Sequence, residues 1–330
     1  MEKIPVHLVT GFLGAGKTTF LNHFIKEMLP QRILVIENEV GQTNVDSALV
    51  IKGVEEVIEL SAGCLCCSLS DGLLDVLELA SEQRDRYDRI VIETTGIADP
   101  SSIAQVFMAN PGVGRVFDLE QIICLADAPL LEDWLNESEE ALRQLVMADV
   151  ILLNKIDDVS TSYLKEVQQR IHSINPNALA LSGNHGRFDP AAILKMGTME
   201  AQSIEEKLER IPDNFHQEQL VGKDVNNQHR ITTFTLTFEQ PFDLKELSLQ
   251  LYRLVNLYRS QVYRIKGILS VIDYPNRVIL QSVRTSCVAS DGSPWEEGEK
   301  RISKLVFIGK GLKREAFERM FSKYLVKEQV

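Results

Sequence analysis

The residues best equipped for chemistry come early. Gly11-Phe12-Leu13-Gly14-Ala15-Gly16-Lys17-Thr18 fits the GxxxxGK[ST] pattern of a phosphate-binding loop. An apolar run, 4–9, precedes it and a helical pattern, 18–28, follows, which is the strand-loop-helix setting the pattern requires. Such a loop turns backbone N–H groups toward the positive end of a helix, and a polyphosphate suits them. Gly11, Gly14 and Gly16 let the backbone approach a ligand, with Ala15 and Thr19 completing the cradle. Lys17 is expected to reach the β- and γ-phosphates and Thr18 to place its hydroxyl on Mg²⁺, so both belong to the reacting machinery.

Asn154-Lys155-Ile156-Asp157 ends a Val/Ile/Leu run and fits the NKxD pattern of GTPases. A carboxylate at Asp157 accepts from both the ring N–H and the amino group of guanine, which adenine cannot offer, while Asn154 can contact the base and position neighbouring loops, and Lys155 between them belongs to the same nucleotide-binding set. A second apolar run leads into Glu93-Thr94-Thr95-Gly96. Glu93 stands where phosphate-loop proteins often carry an aspartate that orders Mg²⁺ and its water, and Gly96 is placed to sense a γ-phosphate through its N–H.

A third group is Cys64-Leu65-Cys66-Cys67. Thiolates are soft ligands, and three within four residues can put two or three sulfurs on one Zn²⁺ or Cu⁺ ion. Buried structural cysteines and a Cys64–Cys67 redox pair are the other readings of the same letters. Glu37, Glu39 and Asp46 follow the second apolar run and offer oxygen donors nearby. The six histidines are scattered, so no histidine-rich metal store exists; His185, in Ser182-Gly183-Asn184-His185-Gly186, is expected to be a solvated loop residue.

These residues need a scaffold that brings strand ends together. Residues 1–196 alternate apolar runs with helical patterns, which predicts an α/β fold: a doubly wound, mostly parallel sheet with strands near 6–9, 33–36, 57–60, 90–92, 122–125, 150–153 and 178–181. Functional residues then gather at the strands' carboxyl ends. Helices are expected over 18–28, 69–86, 101–108, 137–147, 162–173 and 190–195. Residues 197–229 turn polar and read as a linker, and 230–330 as a smaller α+β domain ordered β-α-β-β-β-α, with a loop at 290–298.

Composition narrows the class. With 330 residues the chain suits two domains. Forty-seven acidic against 35 basic residues, a formal charge of −12, argues against nucleic acid or anionic membrane as a partner. No basic-then-apolar leader precedes the phosphate loop, and five cysteines with three clustered do not form a disulfide framework. A soluble cytoplasmic protein is the expectation.

Taken together, the stretches at 11–19, 37–46, 63–67, 93–100 and 154–157 resemble the CobW-like family of phosphate-loop GTPases, relatives of the UreG and HypB metal-delivery proteins. Tyr263-Arg264-Ile265-Lys266-Gly267, Gln281-Ser282-Val283 and Leu305-Val306-Phe307-Ile308-Gly309 resemble the CobW C-terminal domain, so the likeness spans nearly the whole chain. The resemblance implies a zinc-binding GTPase that converts GTP to GDP slowly and hands metal to a client metalloprotein, with Cys64, Cys66, Cys67 and Glu37 as zinc ligands. It is compatible with a nucleotide- or metal-dependent homo-oligomer. Family members commonly carry glutamate where this chain has Gln42. The alternatives are a metal-insertion factor of cobalamin type, a small-molecule or nucleotide kinase, and a metal sensor or thiol redox protein in which nucleotide is structural.

Overall fold

The computed structural model describes residues 3–39, 54–61, 68–197, 201–221 and 229–326. Two compact units result, Met1–Gln169 with Ala178–Thr198, and Arg170–Asn177 with Met199–Val330.

The first unit runs β1 (Ile4–Gly11), α1 (Lys17–Glu27), β2 (Ile33–Glu39), β3 (Val54–Ser61), α2 (Ser68–Glu82), β4 (Arg89–Glu93), α3 (Pro100–Ala109), α4 (Val113–Val116), β5 (Phe117–Asp127), α5 (Leu131–Glu137), α6 (Glu139–Met147), β6 (Val150–Asn154), α7 (Thr161–Ile174), β7 (Leu179–Ser182) and α8 (Pro190–Gly197). Its seven strands pair in parallel in the order β3-β2-β4-β1-β5-β6-β7. All seven expected strands are present, because runs such as Val150–Asn154 are buried along their whole length and leave no polar face to water. β1 lies between β4 and β5, so the chain leaves it in both directions and opens a crevice at its carboxyl end.

α1 closes that crevice from one side. Phe20, Leu21, Phe24 and Ile25 fall on one stripe and pack with Val9, Val35, Val91 and Ile123 of the sheet. Each buried phenylalanine contributes about 2–3 kcal/mol. The helix expected over 137–147 is α6, which starts at Glu139 because the Ser138 hydroxyl accepts from the Ala141 N–H at 3.3 Å and caps it; α5, ending at Glu137, is a further helix ahead of it. Earlier in β1, His7 is fully buried beside Phe24, and Arg89 donates both to its Nε2 and, at 3.0 Å, to Glu120. Burial, reinforced by the Arg89 guanidinium, holds the His7 pKa well below the usual value.

The second unit contains α9 (Ala201–Glu209), β8 (His216–Val221), β9 (His229–Phe238), α10 (Leu244–Leu257), β10 (Val262–Leu269), β11 (Asn276–Val283), β12 (Ser286–Pro294), β13 (Ser303–Lys310) and α11 (Arg314–Phe321). The strands form one antiparallel sheet, β12-β11-β10-β13-β9-β8. One face packs Phe234, Leu236, Ile265, Leu280 and Phe307 with Leu251 and Leu254 of α10 and Phe317 and Phe321 of α11.

Two expectations fail here. The stretch 197–229, read as a linker, carries α9 and β8: Ile204 and Leu208, one turn apart, bury with Ile268, Ile279 and Val306 on the sheet's other face. Two apolar contacts in a charged helix leave a faint sequence signal, and β8 is an edge strand held by main-chain pairing to β9. The loop expected at 290–298 begins as β12, paired with β11 from Ser286 to Pro294. Its end is clamped: Glu205 accepts from Ser293 N–H at 2.9 Å and its hydroxyl at 2.6 Å, and Arg277 lies 4.3 Å over the Trp295 ring.

Among the described residues no helix is long and apolar enough to cross a membrane.

Candidate nucleotide site

The segment between β1 and α1 turns three times through positive φ, at Gly11 (138°), Gly14 (78°) and Gly16 (97°). Two of these glycines are required by their neighbours as well as by φ. A Cβ on Gly11 would come within 2.3 Å of the Leu125 carbonyl on β5, and one on Gly16 within 2.6 Å of Asn154 Nδ2. α1 then starts without a side-chain cap, which leaves its first N–H groups directed into the concavity the loop forms. A polyphosphate fits that donor set.

Lys17 is buried and donates to Gly11 O (2.9 Å) and Phe12 O (3.3 Å), folding its ammonium back over the loop. Ala15 is buried, Thr18 half-buried and Thr19 exposed. Asn154, at the end of β6 and 2% exposed, ties two loops together. Its Nδ2 donates to Ala15 O (3.0 Å) and its Oδ1 accepts from Gly186 N–H (3.1 Å). Gly186 is itself obligatory, with φ 65° and a Cβ position 2.7 Å from Phe20 N in α1.

Lys155 follows in the left-handed region, φ 61°, and its ammonium pairs with Asp127 at 2.7 Å. Asp157 projects its carboxylate half into solvent, its N–H donating to Asn184 Oδ1 at 3.1 Å. His185, exposed and 3.8 Å from that carboxylate, stands at the rim. Asn154, Lys155, Asp157 and residues 184–186 therefore surround the open side of the phosphate loop, leaving Asp157 free to meet a base edge.

On the other side of β1, β4 ends in Glu93, in register with Val9 of β1 and with Glu37 of β2. Val35 and Val91 pack with α1, and strand alternation returns Glu37 and Glu93 to the same face two residues on. Neighbouring strands lie about 4.8 Å apart, so two carboxylates stand side by side at the end of the sheet where α1 begins. Hard oxygens from Glu93 and the Thr18 hydroxyl make a donor set that fits Mg²⁺. Beyond Glu93, the Thr94 N–H donates to Val9 O (2.9 Å) and its hydroxyl to Thr10 (3.0 Å), and Gly96 backs onto Leu13, whose N would lie 2.6 Å from a Cβ there.

Cys64, Cys66, Cys67, Gln42 and Asp46 lie outside the described residues, as does the Glu39 side chain. Among the described residues no group of three His, Cys, Asp or Glu side chains is assembled for a metal. Cys124 and Cys287 are set apart chemically, since burial pushes both thiols up to about 12 and keeps them protonated.

Asp127, Asn184 and Gly186 belong to no motif that marks them in the sequence; the signal at Asp127 is a carboxylate ending a buried strand, and Gly186 follows the loop histidine.

Residues 5–182 match the CobW/HypB/UreG nucleotide-binding domain, and residues 231–325 the cobalamin synthesis protein cobW C-terminal domain. The chain is 33% identical to the zinc chaperone YjiA of Escherichia coli over 98% of its own length and 99% of that protein's. It is also 33% identical to zinc-regulated GTPase metalloprotein activator 1 of Schizosaccharomyces pombe, over 73% of this chain and 63% of that protein. In fold it is similar to the crystal structure of Zn(II)-bound YjiA GTPase from E. coli, with a TM-score of 0.72 at 29% identity, covering 99% of this chain and 100% of that one.

Proposed function

Because the chain belongs to the CobW/HypB/UreG family, we propose that it is a zinc-binding GTPase that couples its nucleotide state to delivery of zinc to a client metalloprotein. The observation that carries this reading is the register of Glu37 with Glu93 on adjacent strands. Glu93 belongs with the nucleotide and Glu37 with the cargo metal, so whatever fixes the end of β4 also fixes a zinc ligand one strand away. The similarity to proteins named zinc chaperone and zinc-regulated GTPase supports the same cargo.

In this reading guanine is held by Asp157 with Asn154 and Lys155, and the phosphates by Gly11, Gly14, Ala15, Gly16, Lys17, Thr18 and Thr19. Thr18 and Glu93 would hold Mg²⁺, which would supply neutralisation of the phosphates' negative charge. Gly96 reports the γ-phosphate. Cys64, Cys66 and Cys67 bind zinc as thiolates with Glu37, so zinc uptake weakens as pH falls. Turnover is slow until a partner supplies further charge stabilisation at the γ-phosphate.

The test is zinc affinity of the full chain loaded with GDP or a non-hydrolysable GTP analogue, for the natural chain and for Cys66→Ala. Affinity that differs between the two nucleotide states and drops in the variant supports the coupling. Identical affinity in both states, or a variant with unchanged zinc binding in both, overturns it. A competition of GTP against ATP tests the base assignment separately.

A further inference from the structure

Gln144 lies on the buried face of α6, 1% exposed. A methionine or leucine there would fill the same space with no polar group to satisfy. Instead the Gln144 amide nitrogen donates to Gly96 O and to Ala98 O, each at 3.1 Å. The adjacent Arg143 donates to Asp99 Oδ2 (2.9 Å) and is steadied by Glu139 Oε1 (3.0 Å) one turn earlier. Asp99 in turn caps α3 through the Ser101 N–H at 2.9 Å. Two consecutive residues of α6 thus grip three of the four residues from Gly96 to Asp99. Ile97, between the two held carbonyls, is 63% exposed, so the grip acts on the backbone and not through packing of that side chain.

We propose that Gln144 is the positioning residue that lets this protein distinguish GTP from GDP, an inference that rests on the GTPase reading above. The Gly96 N–H shares its planar peptide with the Thr95 carbonyl, which accepts from the Ala98 N–H at 3.1 Å. Gln144 holds that turn through the Gly96 and Ala98 carbonyls, and Val9 O holds the Thr94 N–H ahead of it, so donation from the Gly96 N–H to a γ-phosphate demands little reordering of the loop. GDP has no γ-phosphate and gains nothing from the arrangement. Releasing the carbonyls therefore removes affinity for the triphosphate while leaving the diphosphate, held by the loop between β1 and α1, as before.

The experiment uses the full chain with Mg²⁺, titrated with GDP and with a non-hydrolysable GTP analogue, and compares the natural sequence with Gln144→Met. Two hydrogen bonds of ordinary strength correspond to about tenfold or more in analogue affinity, with GDP affinity held within about twofold. Steady-state GTP hydrolysis should show a raised KM, and hydrogen exchange over 94–99 should lose the protection that the analogue confers on the natural chain. Equal loss for both nucleotides marks Gln144 as merely structural and overturns the proposal, as does no loss for either. Gln144→Asn, too short to reach both carbonyls, gives the same readouts if the methionine variant fails to fold. A natural chain that does not prefer guanine to adenine nucleotides sinks the GTPase reading, and with it the proposal; a guanine-specific chain whose Gln144 variants keep their discrimination sinks the proposal alone.

Discussion

Replacing Asn154 by alanine removes a side chain that joins the phosphate loop to the turn at Gly186. Both of its bonds are buried, so Ala15 O and Gly186 N–H each lose a partner where little water reaches. At about 1–3 kcal/mol for each of the two stranded groups, the loss is roughly 2–6 kcal/mol, a large share of the 5–15 kcal/mol that ordinarily separates folded from unfolded domains. With two compact units, a single unfolding midpoint would mix them. The chain solves this itself, because it has two tryptophans, Trp134 in the first unit and Trp295 in the second. Trp134 also packs against Phe12 of the phosphate loop, ring centres 4.8 Å apart. In a Trp295→Phe background, urea unfolding followed by Trp134 fluorescence should show the full loss, and nucleotide affinity should fall with it. Asn154→Asp keeps the acceptor for Gly186 but turns an anion on Ala15 O, so it should impair binding at least as much. Stability within about 0.5 kcal/mol of the parent, with unchanged nucleotide affinity, refutes the bridging argument.

Gly186→Ala, with its Cβ at 2.7 Å from Phe20 N and φ 65°, should lower the melting temperature reported by Trp134 and weaken nucleotide binding together. Asp127→Asn releases Lys155 and should weaken GTP binding by about fivefold, roughly 1 kcal/mol, measured by nucleotide titration. His7 gains its proton near pH 6.5 when unfolded but only well below that when folded, so its contribution to stability is complete above about 6.5 and is lost as pH falls through and below it. Melting temperatures of the first unit should therefore drop between pH 7.5 and 5.5, and His7→Gln should flatten that slope. Glu205→Ala strips both bonds from Ser293 and should cost the second unit about 2 kcal/mol, read by Trp295 fluorescence in a Trp134→Phe background.

Parallel strands buried on both faces announce themselves, which is why the stretches 33–36 and 150–153 stand out as apolar runs. Elements held by main-chain pairing or by two contacts did not. β12 presents Ala289, Ser290 and Asp291 to solvent, and α9 needs only Ile204 and Leu208 to dock. At the nucleotide site, residues tied to a motif could be read because the chemistry dictates their spacing along the chain. Gln144 and Asp127 act from strands or helices distant in sequence, and nothing in their local letters says which carbonyl or ammonium the fold will bring to them.

The second sheet has a consequence for the ribosome. Its strand β13 lies between β10 and β9, yet it is the last strand made. β9 ends at Phe238 and β13 begins at Ser303, a gap of 65 residues (303 − 238) that takes roughly 3–13 s to translate at 5–20 residues per second. During that interval β9, and β10 once it has been made, each show water an unpaired edge that another nascent chain can pair with. A stop ahead of Ser303 would leave two half-sheets with no strand to join them, so that truncation should produce aggregation instead of a shorter working protein.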